Sequence, residues 1–149
     1  MLLDNPAFVA YAITALVLSV NLLFLWARSG AVRVGTKIAI NEEDSIRFGA
    51  ALADQDPPAV ARVLRVHANA QATIYPFLVL GLVFVLAGGS AAVARILFGT
   101  FTVARLAHSF VYLKGKQPWR TLFFILSGLA ILLLGVAIVW LLIQGPVPR

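Results

Sequence analysis

The sequence predicts an all-α integral membrane protein, a bundle of four membrane-spanning helices that forms a single domain over residues 1–149. Three observations predict this fold. First, 61% of the residues are hydrophobic and only 12% are charged, whereas ordinary soluble domains carry about 25% charged residues. Second, the apolar residues form continuous runs rather than the amphipathic stripes of soluble helices. Third, the longest runs reach the roughly 20 residues that a helix needs to cross a bilayer.

The first predicted span covers residues 6–27, a run of 22 residues without charge. At about 1.5 Å per residue the run extends about 33 Å, enough for a hydrocarbon core of roughly 30 Å. A cleaved signal peptide would carry basic residues before a shorter apolar core. Here Asp4 precedes the run and Arg28 follows it, which favours a retained helix. The polar residues 28–56 that follow are predicted to form a loop, and a loop of this length in a small domain often carries function.

Three further spans are predicted over residues 59–87, 91–113 and 120–143. The second begins after Asp56-Pro57-Pro58, because a carboxylate followed by prolines is typical of a helix start. Its wholly apolar part has only 15 residues, 73–87, so this span must include some of its polar first half or project beyond the membrane. Gly88-Gly89-Ser90 forms the next turn, and residues 114–118 form a basic loop before the last span.

Charge and cysteine content limit the chemistry of the chain. The formal net charge is +6 and there is no cysteine, so disulfides, thiolate metal sites and a protein thiol nucleophile are excluded. If thiol chemistry takes place here, the thiol belongs to a small molecule. The basic residues lie beside or inside apolar segments, which indicates membrane lipid head groups or an anionic ligand as partners rather than nucleic acid.

Positive charge also predicts the orientation in the membrane. The first and third loops hold most of the lysine and arginine residues, whereas the opposite end holds only Arg95 and Arg149. Because cytoplasmic loops are enriched in these residues, loops 1 and 3 are predicted to be cytoplasmic, with both termini outside. The unprocessed first helix and the lack of an organelle signal favour a bacterial inner membrane, although an endoplasmic reticulum protein would have the same pattern.

Polar side chains inside the spans predict a functional site, because a buried charge costs at least about 2.5 kcal/mol on insertion scales. Two spans carry such residues at the spacing i, i+3, i+7, which places each set on one helix face. The sets are Arg62, Arg65 and Asn69 on the second span, and Arg105, His108 and Tyr112 on the third; Arg120 begins the fourth.

Each of these residues also has a purely structural interpretation. Arg62 and Lys114 lie near helix ends, where a long side chain can simply reach the head groups. His108 and Tyr112 fit a hydrogen bond between helices equally well. Arg65, Asn69 and Arg105 lie deeper and are therefore better candidates for a site. A channel or transporter subunit remains a further alternative, since arginines inside spans can line ion paths.

The arginine-rich pattern indicates an anionic ligand, because guanidinium groups bind carboxylate or phosphate in bidentate geometry. The apolar surroundings suit a second, lipophilic ligand that enters from the bilayer. The sequence contains no Gly-rich phosphate loop, no metal-ligand cluster and no Ser/His/Asp arrangement.

Several of these segments resemble one known family. Arg62-Val-Leu-Arg65-Val-His67-Ala-Asn69, followed by Thr73-Ile-Tyr-Pro-Phe-Leu78, resembles the second-helix signature of the MAPEG family, the membrane-associated proteins of eicosanoid and glutathione metabolism. Weaker matches agree in order and spacing, namely Val32-Arg33, Asn41-Glu-Glu-Asp44 with Arg47, Arg105-Leu-Ala-His108 with Tyr112, and Pro118-Trp-Arg120. The resemblance covers nearly the whole chain.

The resemblance implies a homotrimer that binds glutathione between neighbouring subunits near the cytoplasmic face, with a lipophilic substrate arriving from the membrane. The positions that match the family's glutathione site are Arg33, Arg65, Asn69, His108, Tyr112, Arg120 and Thr121. In this scheme Arg120 stabilises the thiolate, with Asp44 and Thr121 as neighbours, because a cation beside a thiol raises its thiolate fraction.

Three positions depart from the family pattern. Ala68 replaces an arginine, Ala72 replaces a glutamate that helps to hold glutathione, and Phe124 replaces a tyrosine. Loss of one charged contact costs roughly 1.5–3 kcal/mol, or tenfold and more in affinity. Two hypotheses follow. The chain is a glutathione-dependent transferase, isomerase or peroxidase acting on a lipophilic electrophile, or it is a non-catalytic lipid-binding member whose glutathione site is weakened or lost.

Overall fold

The computed structural model describes residues 2–145, and four long helices dominate it. These are α1 (Pro6–Thr36), α3 (Pro58–Leu86), α4 (Ala91–Leu113) and α5 (Trp119–Gln144). Between α1 and α3 lie β1 (Ile38–Ala39), α2 (Glu42–Phe48) and β2 (Ala51–Leu52). All four long helices have the length and composition to cross a membrane. The predicted all-α four-helix membrane bundle is confirmed; Arg149 lies outside the described residues.

The first helix is longer than its apolar run. It continues nine residues past Ala27 to Thr36 and ends at Lys37, which takes a left-handed conformation with φ 51°. At about 1.5 Å per residue its 31 residues extend about 46 Å, well beyond a hydrocarbon core of roughly 30 Å. An apolar run marks only the part of a helix that lies in hydrocarbon, whereas the backbone hydrogen bonds continue through polar residues outside it.

The remaining polar segment is folded rather than an open loop, which corrects the prediction for residues 28–56. Strands β1 and β2 pair in parallel through Ile38–Ala51 and Ala39–Leu52. Helix α2 connects them. Its first turn is acidic, and these negative side chains stabilise the helix because they lie at the positive end of its dipole. It ends at Gly49, whose φ of +58° suits glycine.

An ion pair bridges the two ends of this segment. Arg33 Nη2 near the end of α1 lies 3.0 Å from Asp56 Oδ1, two residues before α3. The carboxylate of Asp56 therefore holds the two long helices together at this end.

The bundle core is aromatic and contains two polar contacts. Phe77 of α3 stacks on Phe101 of α4 with ring centroids 3.6 Å apart, and both side chains are fully buried. Asn21 Nδ2 of α1 donates to Ser109 Oγ of α4 at 3.2 Å, the kind of interhelical bond that links helices within membranes. Helix α1 packs against α3 and α4, and α5 packs mainly against α4.

The helix directions bring the functional elements to one end of the bundle. Consecutive long helices run in opposite directions, so α1 and α4 end where α3 and α5 begin. We call this the basic end, because it carries Arg28, Arg33, Lys37, Arg47, Arg62, Arg65, Lys114, Lys116 and Arg120.

Candidate functional site

A cleft of about 260 Å³ lies at the basic end, between α3, α4 and α5. We call it the arginine cleft and define it by its lining residues, Asn69, His108, Tyr112, Arg120, Thr121 and Phe124. Five of these were candidate site residues in the sequence, and Phe124 was one of the departures from the family pattern. The structure thus brings together residues from three helices that are up to 55 positions apart in the chain.

Aromatic rings form one wall of the cleft and hold its cation. His108 and Tyr112 lie one turn apart on α4, with ring centroids 5.5 Å apart and nearly perpendicular planes. The guanidinium carbon of Arg120, at the start of α5, lies 4.8 Å from the centroid of the Tyr112 ring. This is a cation–π distance, and such a contact is stronger where water is partly excluded. The charge of Arg120 is therefore held against the cleft wall.

Gln117 is a neighbour of the site that the sequence analysis missed. With its amide oriented so that the oxygen faces Arg120, Gln117 accepts hydrogen bonds from Arg120 Nε at 3.1 Å and Nη2 at 2.7 Å. Its nitrogen then donates to Thr121 Oγ1 at 3.2 Å. The sequence signal that could have found it is the spacing, because residues three and four positions apart on a helix are neighbours. Gln117 precedes Arg120 by three positions and Thr121 by four. It fixes both of them without neutralising the guanidinium.

Arg105 stabilises the cleft from behind. Its side chain is fully buried, and its Nη2 donates to Asn69 O at 3.1 Å and to Asn69 Oδ1 at 2.9 Å. Within residues 2–145, its Nε and Nη1 have no hydrogen-bond partner. Because Asn69 Oδ1 is occupied, the amide nitrogen of Asn69 remains a donor for the cleft. Arg105 is therefore a positioning residue and does not line the cleft.

The other predicted site residues lie elsewhere in the same chain. Arg33 and Asp44 line a separate pocket of about 450 Å³ between α1 and α2, together with Val34, Lys37 and Phe48. Asp44 is thus not a neighbour of Arg120 within one chain. Arg65 is exposed on the surface of α3 and does not line the arginine cleft. We call the pocket that holds Arg33 and Asp44 the α1–α2 pocket.

The arginine cleft has the chemistry of an anion site. It contains a guanidinium that carries a full charge, an amide donor, and hydroxyl groups from Tyr112 and Thr121, but no carboxylate among its lining residues. Such donors bind carboxylate or thiolate groups. Within the described part of the chain, no three His, Cys, Asp or Glu side chains are grouped as metal ligands.

A basic cleft in a bundle of four helices that are each long and apolar enough to cross a membrane identifies an integral membrane protein whose cleft has the chemistry to hold an anion. The model of the MAPEG family matches residues 11–140, and the chain therefore belongs to the MAPEG family. The resemblance seen in the second-helix residues is confirmed.

The relatives include two kinds of enzyme. Prostaglandin E synthase from Homo sapiens is 33% identical over 141 residues, which cover 94% of this chain and 93% of the relative. The Bos taurus prostaglandin E synthase is 34% identical over 140 residues, 93% of this chain and 92% of the relative. Microsomal glutathione S-transferase 1 from Rattus norvegicus is 34% identical over 128 residues, 83% of each chain.

Proposed function

We propose that the protein is a glutathione-dependent membrane enzyme, a transferase, isomerase or peroxidase that acts on a lipophilic electrophile. The relatives support glutathione chemistry, since one is a glutathione S-transferase. The observation that carries the proposal is the position of Arg120, whose guanidinium lies in the arginine cleft against Tyr112 and within hydrogen-bond distance of Gln117.

Arg120 acts on the glutathione sulfur. A guanidinium beside a thiol favours the thiolate, which is the nucleophilic form. The neighbouring Thr121 hydroxyl and the Tyr112 hydroxyl are donors to the same sulfur or to a peptide carbonyl. The Asn69 amide, oriented by Arg105, donates to a glutathione carboxylate or carbonyl. His108 supplies a further imidazole nitrogen at the cleft wall.

A second protomer completes the site in the proposed homotrimer. The arginine cleft and the α1–α2 pocket both lie at the basic end of the bundle, and each contains part of the predicted glutathione site. We place the α1–α2 pocket of one protomer against the arginine cleft of the next. Arg33 and Asp44 then reach the ligand from the neighbouring protomer, and Asp44 supplies a carboxylate that the arginine cleft lacks.

The lipophilic substrate approaches from the bilayer. Phe124 is 47% exposed and lines the cleft at the side where α5 presents apolar residues to the outside of the bundle. A lipid-soluble electrophile that moves along α5 would reach the thiolate without crossing water. By the positive-inside rule, the basic end faces the cytoplasm, where glutathione is dissolved.

The proposal is tested by conjugation of glutathione to chlorodinitrobenzene, with purified protein in detergent. Wild type is expected to give a rate that saturates with glutathione, and Arg120→Ala is expected to lose it. Lys116→Ala is the matched control, because it removes one charge from the adjacent exposed loop. The absence of any glutathione-dependent rate in wild type at millimolar thiol would refute the proposed activity.

Ala72 and Phe124 support one alternative function, presentation of a lipid without chemistry. Neither side chain offers a polar group, and Phe124 lines the cleft directly. Under this alternative, lipid co-purifies with the protein in native mass spectra. Saturable glutathione binding at cellular concentration would exclude it in favour of the enzyme.

A further inference from the structure

A second basic pocket lies on a different face of α4 from the arginine cleft. It measures about 410 Å³, and its rim contains Arg28 of α1, Arg62 of α3 and Lys114, which follows α4. Phe110 of α4 also lines it. At about 100° per residue, Phe110 is rotated by about 200° from Tyr112, which faces the arginine cleft. The two pockets therefore use opposite sides of α4.

Within the described residues, the three cations of this pocket have no carboxylate partners. Within residues 2–145, neither the two guanidinium groups nor the ammonium group takes part in a salt bridge. The Arg62 guanidinium lies directly against Gly115, where a Cβ would overlap it. Gly115 has φ +67°, so a side chain there is disfavoured on conformational grounds as well. Three positive charges are thus gathered at the basic end, with no counter-ion from the described chain.

An apolar groove continues from this pocket toward the middle of the bundle. The groove lies between α1 and α4, measures about 480 Å³ and is lined by Leu16, Val17, Val20, Asn21, Phe24 and Leu106. Phe24 lines both the basic pocket and the groove. Asn21 already donates to Ser109, so it presents no unpaired amide donor there.

The length of this surface fits one lipid. Twelve residues of α1 separate Arg28 from Leu16, which is about 18 Å along the helix. One leaflet of a bilayer contributes about 15 Å of hydrocarbon. A molecule with a charged group at the three cations and an alkyl chain along Phe24 and Leu16 would therefore span one leaflet in its normal orientation.

We propose that the α1–α4 surface binds an anionic phospholipid, with its phosphate between Arg28, Arg62 and Lys114 and one acyl chain in the groove. Phosphate oxygens accept hydrogen bonds from guanidinium and ammonium groups, and basic pockets between spans on this side of a membrane bind anionic head groups. A zwitterionic lipid carries its own ammonium, which three uncompensated cations disfavour.

Native mass spectrometry of the full chain tests this site. The protein is equilibrated in detergent with equal amounts of phosphatidylglycerol and phosphatidylcholine that have identical acyl chains. Wild type is expected to retain phosphatidylglycerol about tenfold better, and Arg62→Gln/Lys114→Gln is expected to lose that preference. The matched control is Arg47→Gln/Lys116→Gln, which removes two charges from the same end but from outside the pocket. Equal retention of the two lipids by wild type, or an equal loss in the control, would overturn the proposal.

Two further arms separate a lipid from other occupants. Leu106→Trp fills the apolar groove without changing charge, and it is expected to lower phosphatidylglycerol retention severalfold. Unchanged retention would show that no acyl chain lies there. Soluble glycerol phosphate is expected to compete only weakly; complete displacement at equal concentration would identify a site for a free anion. A surface occupied by a second copy would retain neither lipid, which also contradicts the proposal.

Discussion

The guanidinium of Arg105 on α4 donates hydrogen bonds to both the backbone oxygen and the side-chain oxygen of Asn69 on α3. Arg105 is fully buried, so these bonds compensate for part of the cost of placing a charge inside the bundle. They also decide which end of the Asn69 amide faces the arginine cleft. One contact thus couples the buried Arg105 to Asn69, the residue that we propose donates to glutathione.

Removing the Asn69 side chain is therefore expected to destabilise the fold. Asn69→Ala leaves the buried guanidinium with only the backbone oxygen, and loss of a hydrogen bond to a charged group costs about 1.5–3 kcal/mol. Arg105→Met removes the charge itself and is expected to cost less, because it leaves only the neutral Asn69 Oδ1 without its donor, rather than a buried charge. Denaturant unfolding in detergent measures both. Gln71→Ala on the same helix is the control and is expected to change the free energy of unfolding only slightly. An equally small change for Asn69→Ala would disprove the coupling between Asn69 and Arg105.

A carboxylate at position 72 is expected to strengthen glutathione binding. Ala72 lies three residues after Asn69 and so on the same side of α3, and the lining of the arginine cleft contains no carboxylate that could pair with the ammonium group of glutathione. Ala72→Glu is predicted to raise the affinity about tenfold, as one charged hydrogen bond would. Isothermal titration calorimetry measures the change. Ala72→Gln has the same shape without the charge and should gain much less; equal gains would show that charge is irrelevant.

The shared site predicts complementation between two inactive variants. Arg33→Ala damages the α1–α2 pocket and Arg120→Ala damages the arginine cleft, so each variant alone is expected to be inactive. When the two are co-expressed in equal amounts, about one quarter of the head-to-tail interfaces combine two intact halves. The glutathione conjugation rate should then recover to about one quarter of the wild-type rate. No recovery from mixed oligomers that contain both variants would place the whole site within one chain.

Most of the fold was predictable from hydrophobicity. The starts of the four long helices were each predicted within one residue. Apolar runs indicated the spans, and Asp56-Pro57-Pro58 indicated the start of α3, whose first half is polar. The end of α1 was missed by nine residues, since outside the hydrocarbon a helix has no need of apolar side chains. The pairing of β1 with β2 was also missed, because two-residue strands leave no periodic pattern.

The site was predictable only in part, for a geometrical reason. Helical spacing placed His108 and Tyr112 on one face, and the structure adds Arg120 and Thr121 from the next helix. Spacing within one helix does not show which neighbouring helix a side chain faces. Arg105 was predicted to lie in the site, and the structure shows that its guanidinium contacts Asn69. Arg33, Asp44 and Arg65 lie away from the cleft. The spacing of residues along the sequence could not predict this separation, because it carries no information on how distant segments pack.

The ultraviolet absorbance of the glutathione thiolate tests the central claim most directly. Purified protein is titrated with glutathione at neutral pH, and the thiolate band is followed for wild type, Arg120→Ala and Lys116→Ala. Wild type and Lys116→Ala are predicted to show a saturable thiolate signal, whereas Arg120→Ala is predicted to lose it while keeping its helical content. A thiolate signal of equal size in Arg120→Ala would contradict the role assigned to this arginine.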